Sequence, residues 1–425
     1  MKRCNDLDEI RIRELANILD ANRSSRMRMI NVTTVYPADP LGNIPGGIDT
    51  LIRDIIRCAP SDFKYTLLGA TTDPVSRPAG QWTRCTLGNT EFDFFPVYAI
   101  KDPGKQPRFP ATIRHLAPLL LRRPAHQIDI LESHRIEPLL AYLRHPAPWF
   151  AFIHQDMANL QSAGSDIRWK YAPKLYSRLE DWLIPKFHGL FCVHEQAVLQ
   201  YRQRFPDKAE NIRFMPTWTN PDIFFPVDGA RRDTLRGVIQ KKYDIEPDAK
   251  LLISVGRIDR QKNPDRLVHA LSALVKSGQN LHVILVGDGV LRDETDNLVI
   301  ALGLRDRVTF AGLLPNQTVA DYVRACDLLV LSSDYEGMPV CAIEALACGI
   351  PVASTPVGEI SKVVRDSVNG KIASGFEVDE FAIAISECLK NLETFRGQPC
   401  IDAARNYTPE RILAPVFESY RQALR

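Results

Sequence analysis

The sequence contains no apolar run long enough to cross a membrane. A spanning helix needs roughly 20 consecutive apolar residues, and no segment of this 425-residue chain approaches that length. The N-terminal segment, MKRCNDLDEIRIRELANILD, is charged throughout and lacks the apolar core of a secretory signal. We therefore expect a cytoplasmic protein.

Several chemistry-bearing patterns are also missing. The nine cysteines include no C-x-x-C pair and no Cys/His quartet at zinc spacing, as expected of buried thiols in a reducing compartment. The net charge of +2 is too small to indicate a nucleic-acid-binding protein. No G-x-G-x-x-G follows the first strand of either half, which disfavours a nicotinamide dehydrogenase. No D-x-D ends an apolar strand, since Asp6-Leu7-Asp8 lies in the charged N-terminal segment. We expect neither a metal nor a cofactor.

Short apolar segments alternate with helical patterns along most of the chain. This alternation predicts an α/β fold whose parallel sheets are covered on both faces. In the second half the segments are LLISVG, HVILVG, RVTFAG, LLVLSS and PVAST. Helices are expected to begin near Asn263, Leu291, Thr318, Met338 and Glu359.

A proline-rich stretch, MPTWTNPDIFFPV, separates the two halves and has no clear period. We place the domain boundary there, between residues 27–217 and residues 218–408. A charged appendage, residues 1–26, precedes the first domain. An amphipathic helix at 409–425 has an apolar stripe that must pack against another element.

The segment LLVLSSDYEGMPVCAIEALACGIPVAST, residues 328–355, carries the strongest functional signal. After a buried strand, Glu336 and Gly337 precede a helix expected to open at Met338-Pro339. The unpaired amides of that helix start suit a phosphate. Glu336 and Glu344 would lie up to roughly 12 Å apart on a helix, which matches the distance from the sugar to the ribose of one nucleotide sugar. Two isolated glutamates at this spacing are usually a cap and a solvated side chain, but the surrounding strands and glycines favour a ligand site.

A second group follows strand LLISVG, which ends at Gly256. Asn263 and Pro264 are suited to the cap and first turn of a helix. Arg257 and Lys262 would then flank the edge of the sheet where ligands of open α/β folds bind. Fixed cations can stabilise a departing diphosphate without a metal, although such a pair alone is more often a solvated loop.

Residues 336–352 resemble the retaining GT-B glycosyltransferases of family 4, whose hallmark is E-G-[FM]-P-x-x-x-x-E-A-x-A-x-G-x-P-V. The resemblance extends over roughly residues 28–424. It implies two Rossmann-like, doubly wound parallel-sheet domains facing a cleft, with the C-terminal helix crossing back to the N-terminal domain. It also implies a retaining transfer of a hexose from a nucleoside-diphosphate sugar to a saccharide acceptor, in the synthesis of surface polysaccharides or glycoconjugates.

The resemblance also assigns roles to individual residues. Arg257 and Lys262 match the cations that grip the donor diphosphate, and His154, after strand WFAFI, matches a histidine beside the transferred sugar. Glu336 would hold the sugar and Glu344 the ribose; His134 is a weaker candidate that favours a structural role. The remaining donor-binding candidates are backbone-rich positions at strand ends, in a Gly-Gly loop and at the helix start: Gly46, Gly47, Gly256, Gly287, Gly312, Gly337, Met338, Pro339 and Val340.

The chain departs from the family pattern at three places, which leaves the sugar and the acceptor open. Residues 219–222 read T-N-P-D instead of N-G-V-D, His194 replaces a serine at a strand end, and Gly358-Glu359 replaces a Gly-Gly pair. Two rival functions are a sugar-nucleotide epimerase of the same architecture and a non-catalytic nucleotide-sugar binding protein.

Residues 101–126, KDPGKQPRFPATIRHLAPLLLRRPAH, are basic and interleaved with apolar side chains. Ile113, Leu116 and Leu120 would share one helical face, with Arg114 and two further arginines at 122 and 123 near its borders. An ordinary surface helix explains this pattern. The alternative is a peripheral contact with an anionic membrane at its inner face, which would bring the first domain to a lipid-linked acceptor.

Overall fold

The computed structural model describes residues 28–42, 47–100, 111–121, 123–154 and 173–425. The predicted appendage, Gly46 and residues 101–110 lie outside these ranges. In the described ranges no helix is both long enough and apolar enough to span a bilayer. None of the eight cysteines of these ranges forms a disulfide bond with another of them, and all but Cys58 are buried.

Eight strands form a first sheet: β1 (Ile30–Val35), β2 (Phe63–Thr71), β3 (Thr83–Leu87), β4 (Thr90–Ala99), β5 (Ile130–Ser133), β6 (Trp149–Ile153), β7 (Gly189–Cys192) and β8 (Ile212–Phe214). Their order is β3-β4-β2-β1-β5-β6-β7-β8. β1 runs parallel to β2 and β5, whereas β3 pairs antiparallel with β4 at the edge. Apart from that edge hairpin, this is the parallel pairing that the buried apolar strands predict.

The helices between these strands are α1 (Gly47–Arg57), α2 (Ala111–Leu121), α3 (Pro173–Leu183) and α4 (Glu195–Arg204). Short 3-10 helices occupy Glu137–Tyr142, Ile184–Lys186 and Pro206–Asn211. α1 has an acidic residue in its first turn and a basic one in its last. Both charges interact favourably with the helix dipole and so stabilise the helix.

Six strands form a second sheet: β9 (Lys250–Val255), β10 (Leu281–Val286), β11 (Val308–Gly312), β12 (Leu328–Leu331), β13 (Val352–Ser354) and β14 (Gly370–Ile372). Their order is β11-β10-β9-β12-β13-β14, and every pair is parallel. The switch in strand order therefore lies at β9 and β12, where open α/β sheets bind ligands.

The helices of the second sheet region are α5 (Gly229–Tyr243), α6 (Pro264–Lys276), α7 (Arg292–Ala301), α8 (Asn316–Ala325), α9 (Val340–Ala347), α10 (Val378–Lys390), α11 (Leu392–Phe395), α12 (Gln398–Ala404) and α13 (Pro409–Ala423). Two core clusters cover the two faces of the sheet. Ile253 and Ile284 lie in one cluster, whereas Leu252 and Val283 lie in the other. Because successive strand residues point to opposite faces, this alternation confirms a sheet that is buried on both sides.

The chain divides into two compact units, one up to Phe150 together with Ala423–Arg425, and the other Ala151–Gln422. The second unit includes β7, β8 and the whole second sheet. Within it, Arg213 of β8 donates to Ser419 Oγ of α13 at 2.9 Å. The last helix is therefore attached to a strand of the first sheet, in agreement with the crossing that the resemblance implies.

The predicted helix near Glu359 is wrong. Only a 3-10 turn forms there, over Ile360–Lys362. The Asn369 side chain donates to Val363 O and accepts from Arg365 N, at 3.0 and 2.7 Å. These side-chain bonds occupy backbone groups that a longer helix would use for its own hydrogen bonds, so the chain turns instead.

Candidate functional site

Two loops meet at the carboxyl ends of β9 and β12, which are neighbours in the second sheet. One loop runs from Gly256 to Asn263 and the other from residue 332 to residue 339. The backbone amide of Asp334 donates to Gln261 O at 2.8 Å, and Gln261 Nε2 donates to Tyr335 O at 3.0 Å. The two sequence groups that carried the prediction are thus joined into one structure.

Asn263 connects the first loop to helix α6 and to the second loop. It caps α6, since its side chain accepts from Arg266 N at 3.0 Å, and Pro264 follows in the first turn. Its Nδ2 also donates to the Asp334 carboxylate at 3.0 Å. The predicted cap is confirmed, and the same side chain connects the two loops.

Lys262 and Glu336 form an ion pair at the centre of this arrangement. Lys262 Nζ lies 2.5 Å from Glu336 Oε1, and the side chains are 22% and 9% exposed. Ser333 Oγ donates to the same carboxylate oxygen at 2.6 Å. Burial works against the ammonium charge, but Cys341 and Glu336 raise the pKa of Lys262 above its usual value. The Lys262 ammonium is consequently charged, and its ion pair with Glu336 orients both side chains.

Arg257 lies beside this pair but faces outward. Its side chain is 71% exposed and lies 3.2 Å from Asp259 Oδ2. Asp259 Oδ1 also accepts the backbone amide of Lys262 at 3.1 Å. One carboxylate therefore holds both predicted diphosphate ligands, while the Arg257 guanidinium keeps access to solvent.

Helix α9 begins at Val340, two residues later than expected, and Pro339 occupies its cap position. The helical estimate of the separation between Glu336 and Glu344 therefore does not apply, because Glu336 lies in the loop before the helix. Glu344 lies within α9 and is half-buried. Loss of solvation raises its pKa to about 7. It is a carboxyl group whose charge state changes near neutral pH.

At the strand-end glycines Gly256, Gly287 and Gly312, the three backbones lie close together. Gly287 N donates to Gly312 O at 2.9 Å, and a Cβ on Gly287 would lie 1.9 Å from Gly256 O. The backbone angle φ of Gly287 is +138°, which side chains rarely adopt. At this position glycine is required for the packing of β9 against β10, whatever ligand these turns contact.

Gly337 packs against a residue that the sequence identified only as a departure from the family. A Cβ on Gly337 would lie 1.9 Å from Cε1 of His194. His194 follows β7, where Val193 N donates to Ile153 O at 3.1 Å. His154 directly follows Ile153 at the end of β6 and is half-buried. The ends of these two strands, with a histidine after each, are therefore adjacent.

Three other predicted residues have different outcomes. Gly47 opens α1, whereas Gly46 lies outside the described ranges. His134 is fully buried after β5, with Nε2 3.6 Å from Glu132 Oε1. Burial lowers the pKa of His134 despite that carboxylate, which favours the structural role. Among the described residues, no three His, Cys, Asp or Glu side chains converge as metal ligands would.

The sequence did not single out several residues of this edge. Ser333 and Asp259 orient the predicted ligands through the hydrogen bonds described above. Val290, in the loop after β10, and Leu313, directly after β11, are 86% and 79% exposed. The available signal was their position: each is an apolar residue that follows a glycine near the carboxyl end of a strand.

In the basic segment the apolar side chains and the arginines have different surroundings. Ile113 and Leu120 of α2 are exposed, as is Leu121. Arg114, however, stacks 4.7 Å from the ring centre of Tyr98, and Arg123 donates to a backbone carbonyl at 3.2 Å. These two arginines are engaged within the protein, while Arg122 lies outside the described ranges.

Sequence comparison matches residues 236–403 to the glycosyl transferases group 1. The D-inositol 3-phosphate glycosyltransferase of Nocardiopsis dassonvillei is 29% identical over 219 residues, 49% of this chain and 49% of that protein. The mannosylfructose-phosphate synthase of Agrobacterium fabrum is 30% identical over 192 residues, 43% of this chain and 41% of that protein. The chain thus spans about half the length of the curated relatives it matches.

Solved structures match over nearly the whole chain. Sucrose-phosphate synthase from Thermosynechococcus elongatus superposes with a TM-score of 0.73 at 20% identity, covering 92% of this chain and 98% of that one. Anabaena HepE, in complex with UDP and glucose, gives 0.67 at 17% identity, covering 93% and 100%. The fold is therefore GT-B, with two α/β domains built on parallel sheets. The segment that matches the glycosyl transferases group 1 family, residues 236–403, carries both loops of the site.

Proposed function

We propose that this protein is a family 4 glycosyltransferase that moves a hexose from a nucleoside-diphosphate sugar to a saccharide acceptor, with retention of anomeric configuration. The observation that carries the proposal is the buried Lys262–Glu336 pair beside Arg257. It combines cations suited to a diphosphate with a carboxylate suited to sugar hydroxyls. The start of α9 lies at the same edge, and the backbone amides of a helix start suit a phosphate.

Each residue has a distinct task in this scheme. Arg257 and Lys262 neutralise the charge that develops on the departing diphosphate, which fixed cations can do without a metal. Glu336 accepts hydrogen bonds from the sugar, and Glu344 accepts them from the ribose. His154 orients the sugar. The acceptor attacks from the face that the diphosphate leaves, and the leaving phosphate takes the acceptor proton, so no covalent sugar–enzyme intermediate is required.

In the free protein the Lys262 ammonium already contacts Glu336. An ammonium group has three N–H donors, so a bound diphosphate would share the Lys262 cation with that carboxylate. Both side chains are therefore in place before the donor binds. Such preorganisation limits the reorganisation needed during the reaction.

The first test is a thermal-shift screen with UDP-, GDP- and ADP-sugars. A ligand present at about 100 times its Kd adds roughly 2.7 kcal/mol to the free energy of unfolding. The stabilising donor is then incubated with saccharide acceptors, and the product anomer is determined by NMR. A retained anomeric linkage supports the proposal. Interconversion of the donor without transfer identifies an epimerase, and binding without turnover identifies a non-catalytic binding protein.

We further propose a lipid-linked acceptor reached from an anionic membrane surface. Support comes from the exposed Ile113, Leu120 and Leu121 of α2, within a segment whose sequence is basic. Interfacial helices combine an apolar face with flanking cations, each worth about 1 kcal/mol near an anionic surface.

Vesicle sedimentation tests this acceptor model. Leu120→Glu/Leu121→Glu should reduce pelleting with phosphatidylglycerol vesicles, and added salt should reduce it further. Val75→Glu, at a residue that is 90% exposed elsewhere, is the matched control and should pellet as the wild type does. Equal pelleting with neutral vesicles, or no pelleting with either lipid, would favour a soluble acceptor.

A further inference from the structure

Gly337 is enclosed from two sides. The His194 ring occupies the space where a side chain would begin, since a Cβ there would lie 1.9 Å from Cε1 and 2.5 Å from Nδ1. On the other side, Glu359 N donates to Gly337 O at 2.8 Å, and a Cβ on Gly358 would lie 2.0 Å from the same oxygen. The peptide that follows Glu336 therefore has little room to move.

The residues that enclose Gly337 are themselves connected. Glu195, which follows His194, donates its backbone amide to Glu359 Oε1 at 3.3 Å. Lys362 pairs with the Glu195 carboxylate and lies 3.6 Å from Glu359 Oε2. The end of β7 and the turn at residues 358–362 thus form one network around Gly337, which extends from the first sheet to the second.

We propose that His194 is a positioning residue for Glu336, acting through Gly337. The inference rests on the proposed function, because it assigns Glu336 to the donor sugar. The imidazole sets the position of the 336–337 peptide, and so fixes where the Glu336 carboxylate meets sugar hydroxyls. Lys262 and Arg257 lie on the other loop, so the diphosphate contacts do not depend on His194 in the same way.

This division predicts a selective defect. Replacing His194 by alanine removes the ring that restrains Gly337, so the carboxylate loses its fixed position. Binding of a nucleoside diphosphate should stay within twofold of wild type. The sugar nucleotide should lose affinity relative to the diphosphate. The ratio of the diphosphate Kd to the sugar-nucleotide Kd should therefore fall at least fivefold.

The contact itself can be tested by suppression. Gly337→Ala introduces a methyl group into the position of the His194 ring, and core overpacking of this kind is destabilising. In the double variant Gly337→Ala/His194→Ala, the obstruction is gone. Its thermal stability should therefore exceed that of Gly337→Ala, whereas independent sites would give additive losses.

The experiment compares wild type, His194→Ala, Gly337→Ala, the double variant and His188→Ala, a control at an exposed histidine ahead of β7. Calorimetry measures UDP against UDP-glucose, GDP against GDP-mannose and ADP against ADP-glucose, and the unfolding midpoint is recorded for each variant. An unchanged affinity ratio in His194→Ala, or additive stability losses, would overturn the inference while leaving the proposed function intact. If wild type binds none of the six nucleotides, the proposed function fails, and the stability cycle still reports whether His194 restrains Gly337.

Discussion

Glu336→Gln should strengthen the binding of a nucleoside diphosphate while it impairs transfer. In the free protein the Lys262 ammonium is held 2.5 Å from the Glu336 carboxylate. A diphosphate must therefore compete with that carboxylate for the same cation. Glutamine keeps the size of the side chain but removes its negative charge, so the cation becomes available to the ligand.

The size of the effect follows from the burial of the pair. Hydrogen bonds between charged groups contribute about 1.5–3 kcal/mol to stability. The Lys262 side chain is 22% exposed, and solvent screening lowers that value, so roughly 1–2 kcal/mol is released to the ligand. This corresponds to an affinity gain of about five- to thirtyfold. Turnover should fall, because the carboxylate proposed to hold the sugar is lost.

Isothermal calorimetry with the diphosphate selected by the thermal-shift screen measures the affinity change directly. Lys262→Met should change the affinity in the opposite direction, because it removes the cation. Glu387→Gln is the matched control: its carboxylate pairs with Lys371 at 3.1 Å on the surface, and its replacement should leave the affinity unchanged. If Glu336→Gln weakens diphosphate binding as Lys262→Met does, the Glu336 carboxylate and the diphosphate do not compete for the Lys262 cation.

Three further outcomes are expected. Burial raises the pKa of Glu344 from 4.5 to about 7, so in that pH window the folded protein binds a proton that the unfolded chain has lost. The free energy of unfolding should then fall as pH rises from 4.5 to 7. Urea titrations at several pH values should show that this free energy depends less on pH in Glu344→Gln than in wild type, and an equal dependence would assign it to another group. Gly287→Ala places a Cβ 1.9 Å from Gly256 O and should cost about 1–3 kcal/mol in a denaturant titration, which an unchanged midpoint would contradict. Transferase activity should survive excess chelator, whereas a loss restored by Mn²⁺ or Mg²⁺ would contradict metal independence.

The second sheet was predictable because its strands carry a simple signal. β10 is buried at every position, and such continuous apolar runs between helices indicate a parallel sheet. β3, by contrast, buries only Cys85 among five residues. Its polar alternation gave no apolar run, so the antiparallel edge of the first sheet was missed. β14 has three residues, too few for any period to show.

The candidate site was predicted as separate residues but not as an arrangement. Lys262, Glu336 and Asn263 each stood in a motif that the sequence displays. The ion pair joins positions 74 residues apart, and no local pattern specifies such a contact. The helix start illustrates the same limit: Pro339 marked the right turn, but its backbone is extended at the cap position, so α9 begins only at Val340.

Two of the departures from the family pattern explain each other once their positions are known. A serine before α4 would cap that helix through its hydroxyl oxygen, but His194 at the cap makes no such bond. The carboxylate of Glu359 accepts the Glu195 amide instead, so a residue from another loop satisfies a donor at this helix start. Glu359 stands where the family has a second glycine. The exchange of a small cap for an imidazole therefore becomes possible because a carboxylate takes over the capping, and the imidazole packs on Gly337 next to Glu336, the carboxylate proposed to bind the sugar.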